Sequence, residues 1–122
     1  MPPHIDVQAF RRRLEARRAE IREEIARLEE QTPNINQDTG YGVKNHPAED
    51  ASEMYDRERS LAILGVMQRE LQQIEHALER IDAGVYGLCE VCQQPIPAER
   101  LDARPYATLC ITHQRQRDAQ PA

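Results

Sequence analysis

The stretch GLCEVCQQPIPAERLDARPYATLCITHQ, Gly87 to Gln114, decides how the chain is read, because it places Cys89, Cys92, Cys110 and His113 in two pairs. The spacing is C-x2-C-x17-C-x2-H. Two thiolates separated by two residues can grip one tetrahedral ion from a tight turn, and a second x2 pair completes four ligands, which is a structural zinc pattern. The pattern uses every cysteine of the chain. Unpaired cysteines behave as small buried hydrophobes, an account that leaves the x2 spacing unexplained. A histidine beside Gln114 and Arg115 reads by itself as a solvated residue, but its place after Cys110 makes His113 the fourth ligand. Three thiolates and one imidazole leave no open position for water, so a single Zn2+ here holds the fold and does no catalysis. Much of the finger's stability is then metal-binding free energy.

Working outward, Gly84 and Gly87 separate this finger from a long helical pattern. Upstream, Met54, Leu61, Leu64, Met67, Leu71, Ile74, Leu78 and Ile81 recur at three-four spacing to about Ala83. Pro47 suits a first helical position after a cap at Asn45 or His46, and Glu49, Asp50 and Glu53 favour the helix N-terminus. A helix of this extent is roughly 50 Å long at 1.5 Å per residue. Residues 32–46, TPNINQDTGYGVKNH, carry Pro, Asn, Asp and Gly without a sustained period and read as a loop.

An earlier helix is expected from an N-cap at Asp6 to about Gln31, where Thr32 and Pro33 stop it. Val7, Phe10, Leu14, Ile21, Ile25 and Leu28 form its stripe, and Arg17 interrupts one expected core site. Its first half is basic (Arg11, Arg12, Arg13, Arg17, Arg18) and its second half acidic (Glu23, Glu24, Glu29, Glu30), against the macrodipole. An antiparallel partner helix that brings Glu75, Glu79 and Asp82 beside the basic start accounts for this polarity. The expected fold is therefore mainly α: a long antiparallel coiled-coil hairpin over 6–83 with a tip loop at 32–46, then a small zinc finger over 84–118. Pro95, Pro97 and Pro105 are expected to keep the segment between the knuckles irregular or in short strands, until a helical turn from about Leu109 carries Cys110 and His113.

Composition narrows the function. The chain has 122 residues, 4% aromatics, no tryptophan and a formal charge of -5, so a thick globular core and binding driven by phosphate neutralisation are both disfavoured. Within the finger, Arg100, Arg104, Arg115 and Arg117 are matched by Glu90, Glu99, Asp102 and Asp118. Three cysteines in a metal pattern point to a reducing compartment. The start MPPHIDV has no apolar signal core, and the apolar stretch at Leu61 to Met67 is too short to span a bilayer, so a cytoplasmic, non-membrane protein is expected. No residue constellation supports an enzyme.

The run DAGVYGLCEVCQQPIPAERLDARPYATLCITH, with DRER on the helix before it, resembles the DksA/TraR zinc-finger regulators of bacterial RNA polymerase. The connector GYGVKNHPAEDASEMYDRER is similar to the tip region of the YteA-like branch. The resemblance implies a monomeric transcription regulator that binds RNA polymerase directly, inserts its coiled-coil tip through the secondary channel and modulates initiation, with no sequence-specific DNA binding. Counted back from the first zinc ligand, the family's acidic tip pattern D-x-x-D-x-A falls on His46, Glu49 and Ala51, with Asp50 close by; Glu49, Asp50 and Ala51 are the implied partner contacts.

Three departures stand out. His113 replaces a common cysteine, Gln93 replaces a usual glycine where a left-handed backbone costs strain, and Val66, Glu70, Gln73 and Gln114 stand where the family contacts the alarmone ppGpp with largely basic side chains. Acid and amide groups suit a polyphosphate poorly, so strong ppGpp synergy is not expected. Two other readings compete: a nucleic-acid-binding zinc module, which the acidity opposes, and a thiol-based redox sensor at the zinc thiolates.

Overall fold

The computed structural model describes residues 3–31 and 47–120, without the side chains of 47–51. The described residues form α1 (Val7–Gln31), α2 (Pro47–Asp82), α3 (Ala98–Ala103) and α4 (Ile111–Asp118). The only pairing between extended segments among them is one antiparallel bridge, Leu88 with Pro95. The protein is mainly α. The expected loop at 32–46 lies outside the described residues. Among the described residues no helix is long and apolar enough to cross a membrane.

Contacts gather in two compact units, one made of Met1–Arg18 with Gln72–Ala122, the other of Ala19–Leu71. The first holds most of the core: Val7 and Leu14 from α1, Ile74, Ala77, Leu78 and Ile81 from α2, and Tyr86, Cys89, Ile96, Leu101, Ala107 and Leu109 from the finger. The α1 residues are a heptad apart, and the α2 residues keep three-four spacing, so each helix turns one stripe inward. A fully buried side chain of this size contributes roughly 1.5–3 kcal/mol. The finger therefore shares its core with both helix ends.

Asp6 caps α1 as its sequence predicts, its Oδ1 accepting from the Ala9 N–H at 3.2 Å. The basic start of α1 meets acids from elsewhere in the same unit. Arg11 pairs with Asp82 at 2.9 Å, as an antiparallel partner helix predicts, whereas Arg13 reaches the finger, donating to the Asp102 carboxylate at 2.9 Å and its carbonyl at 2.8 Å. The Arg13 guanidinium also lies 5.3 Å from the centre of the Phe10 ring, and Phe10 in turn stands 5.8 Å from Tyr86. Exposed ion pairs of this kind are worth about 0–1 kcal/mol, so they select a register more than they hold the fold.

In the second unit Ile21 and Leu64 are buried and Glu24 pairs with Arg27. Met54 and Leu61, expected in the α2 stripe, are instead 63% and 39% exposed. A strict heptad-like pattern drifts by roughly 20° per heptad on a straight helix, so the outer members of a long stripe leave the face its inner members define.

Candidate metal centre

The first knuckle is set by how α2 ends. Gly84 adopts φ 77, its N–H donates to Ile81 O at 3.0 Å and the Val85 N–H donates to Arg80 O at 3.0 Å, a Schellman closure that only a residue free of Cβ makes without strain. Arg80 then grips the departing chain, its Nη2 donating to Val85 O at 3.2 Å and Leu88 O at 3.0 Å. Cys89 follows. Its N–H donates to Gln94 O at 2.9 Å, and the Gln93 N–H returns to Cys89 O at 3.0 Å, which folds residues 89–94 into a tight turn. That turn needs a left-handed residue, and Gln93 supplies it at φ 61, the strained conformation its sequence position predicts.

The second knuckle depends on a short helix set among the prolines. Between the ligand pairs lies α3, where irregular chain or short strands were expected. Pro97 sits at its N-cap, where a missing N–H costs nothing, and the helix has ended before Pro105. Leu101 on α3 is fully buried, and Arg100 Nε donates to Leu109 O at 3.1 Å, fixing the residue before Cys110. Cys110 is the N-cap of α4 in an extended conformation, so the helix begins two residues later than the expected Leu109 and presents His113 from its first turn.

These two turns bring together all four residues that the sequence singled out. The Sγ atoms of Cys89, Cys92 and Cys110 and a ring nitrogen of His113 lie within 4.8 Å of one another. His113 Nδ1 is 3.1 Å from Cys110 Sγ and 3.5 Å from Cys89 Sγ. Ligands about 2.0–2.3 Å from a tetrahedral zinc ion stand roughly 3.5–3.8 Å apart, so the four donors fit one structural ion after small adjustment. The backbone prepares the charge. Burial pushes the Cys89 thiol up, but N–H groups of Cys110, Cys92 and Val91 outweigh it and bring the thiol down to about 6. Cys92 moves the other way: the Gln94 N–H pulls its thiol down, but desolvation and the neighbouring sulfurs of Cys89 and Cys110 together outweigh it and hold the thiol above its usual range.

Around this centre stand residues that the sequence reading passed over. Glu90, between the first two ligands, receives His76 Nε2 at 2.9 Å and lies 3.7 Å from Arg80 Nη1. Its own N–H donates to Thr108 O at 2.9 Å. Burial opposes its ionisation, yet the Thr108 hydroxyl, His76 and Arg80 together keep the carboxyl below its ordinary value. Nearby, a cleft of about 330 Å³ is lined by Gln73, His76, Arg100, Arg104, Gln114 and Arg117, among others. Two of the positions implied to meet ppGpp, Gln73 and Gln114, thus share a cleft with three arginines. The other two, Val66 and Glu70, belong to the second unit. Glu49, Asp50 and Ala51 have helical backbone in α2, and their side chains lie outside the described residues.

A helical protein closed by a structural C-x2-C and C-x2-H zinc centre is the class that this geometry defines. Residues 84–115 match the model of the prokaryotic dksA/traR C4-type zinc finger, here with histidine as the fourth ligand. The RNA polymerase-binding transcription factor DksA of Caulobacter vibrioides is 31% identical over 118 residues, which cover 92% of this chain and 75% of that protein. The chain belongs to the DksA/TraR family. It is also 47% identical over 73 residues to the YteA protein of Bacillus subtilis, covering 59% of this chain and 30% of YteA. The chain likewise spans 60% of the length of general stress protein 16O from the same organism. Among solved structures, transcription factor DksA2 of Pseudomonas aeruginosa matches with a TM-score of 0.74 at 29% identity, over 92% of this chain and 82% of DksA2.

Proposed function

We propose that this protein is a non-catalytic transcription regulator that binds RNA polymerase directly. The observation that carries this reading is the 31% identity to an RNA polymerase-binding transcription factor across 92% of the chain. The likeness to DksA2 at a TM-score of 0.74 supports it from the fold.

In this reading residues 6–83 form an antiparallel coiled-coil hairpin whose tip, around 32–46, enters the secondary channel and alters initiation, while the finger over 84–118 stays at the root. Glu49, Asp50 and Ala51 carry the tip contact. Cys89, Cys92, Cys110 and His113, the last through Nδ1, hold the zinc ion. The metal supplies structural cross-linking of the two knuckles. Arg80 and Arg100 aim those knuckles by binding the backbone just before Cys89 and Cys110. The protein works as a cytoplasmic monomer and has no enzymatic step.

The test is transcription in vitro from promoters with short-lived open complexes. Glu49→Ala and Asp50→Ala proteins that retain zinc and helix content are expected to bind polymerase yet lose the effect on initiation. Full activity in both variants together contradicts the tip assignment.

A further inference from the structure

Glu90 is the one residue of the first knuckle whose main chain and side chain both leave that knuckle. Its N–H is bonded to Thr108, two residues before the third ligand, and its carboxylate receives His76 at 2.9 Å and faces Arg80 at 3.7 Å on the last turns of α2. Arg80 closes the loop by binding the carbonyl of Leu88, which immediately precedes the first ligand. The side chain of Glu90 is 25% exposed and that of Arg80 17%, so this pair is partly shielded from water, whereas His76 is 47% exposed. The links from helix to first knuckle and from first knuckle to second therefore pass through one residue, Glu90, beside Cys89: its carboxylate meets the helix and its N–H meets the second knuckle.

We propose that Glu90 is the positioning residue through which the zinc centre and the C-terminal turns of α2 stabilise one another. Zinc binding fixes the Cys89–Cys92 turn, which presents the Glu90 carboxylate to His76 and Arg80. By the same linkage, an ordered α2 end presents the turn to the metal. His76, thirteen positions from Cys89 and not one of the four clustered donors, thereby acts on zinc affinity. Groups that orient a ligand without touching the metal typically change affinity by about 10–100-fold. This coupling concerns the metal centre alone and does not depend on what the protein binds.

The experiment is a double-mutant cycle on the full chain, with zinc dissociation constants measured by competition against a chromophoric chelator. Glu90→Ala is expected to weaken zinc binding about tenfold, the lower end for such positioning groups, and Glu90→Gln, which still accepts from His76 and Thr108, to restore most of it. His76→Ala is expected to weaken zinc in the native background and to add nothing in the Glu90→Ala background. In parallel, with zinc bound to both proteins, Glu90→Ala is expected to raise amide hydrogen exchange over Gln73–Asp82 above that of the native protein. Equal effects of His76→Ala in both backgrounds, or no effect in either, overturn the proposal. So does exchange over Gln73–Asp82 in zinc-loaded Glu90→Ala that matches the zinc-loaded native protein. Both side chains are partly exposed, so these variants are expected to fold, and helix content by circular dichroism checks that.

Discussion

The Tyr86 hydroxyl donates to the Pro105 carbonyl oxygen across 2.7 Å, tying the turn after α2 to the chain that follows α3. Tyr86 is almost fully buried, so Tyr86→Phe leaves the Pro105 carbonyl without its partner. A loss of about 1–2 kcal/mol in denaturant unfolding of the zinc-loaded protein is expected. Alkali gives a second readout. Burial raises the Tyr86 ionisation far above its usual 10.0, and the nearby Arg13 offsets only part of this. A raised folded value means that the contribution is intact below pH 10.0 and is lost progressively as pH rises above it. Tyr86→Phe is expected to flatten that decline, and tyrosinate absorbance is expected to show Tyr86 ionising only with unfolding.

Gln93 holds the left-handed position of the first knuckle at φ 61, which costs a residue with a side chain roughly 1–2 kcal/mol. Gln93→Gly relieves this but loosens the unfolded chain by about 0.4–1 kcal/mol, so a small net gain in stability is expected. Gln93→Val, β-branched and lacking the Nε2 contact to Glu90 O at 3.4 Å, is expected to destabilise clearly. Thermal melts of the three zinc-loaded proteins rank them, and a Val variant as stable as the native protein contradicts the turn as described.

Metal removal tests the ligand set. Chelation is expected to unfold the finger and free Tyr86, seen as altered tyrosine fluorescence, because zinc links two turns that otherwise share few backbone bonds. Cys110→Ala and His113→Ala are expected to lose tight binding, whereas His113→Cys is expected to retain one zinc per chain by elemental analysis. Full zinc retention in His113→Ala contradicts the fourth ligand.

The cleft beside the finger makes the ppGpp response measurable by residue. Gln73 and Gln114 give a polyphosphate no charge, so ppGpp is expected to leave the protein's effect on transcription nearly unchanged. Arg100, Arg104 and Arg117 share the cleft, and potentiation by ppGpp that disappears in Arg104→Ala contradicts this expectation.

The parts of the fold fixed by local chemistry were readable from the residues. Cysteine spacing gave the donor cluster, Asp6 and Gly84 marked helix ends, and the charge polarity of α1 anticipated the Arg11–Asp82 pair. The helix α3 was not, because Pro97 reads as a breaker although a helix start tolerates it. His76 and Glu90 stand fourteen positions apart, and periodicity says nothing about which exposed polar groups will meet. Met54 and Leu61 show a converse limit: apolar spacing marks a face, and only packing decides how far along the helix that face stays covered.

The central claim is direct binding to RNA polymerase, and the most direct measurement is titration of a fluorescently labelled, zinc-loaded protein with purified core polymerase. Saturable binding is expected, displaced by another factor that occupies the secondary channel and absent when promoter DNA is offered alone. No binding to core polymerase, or tight binding to promoter DNA without it, contradicts the account.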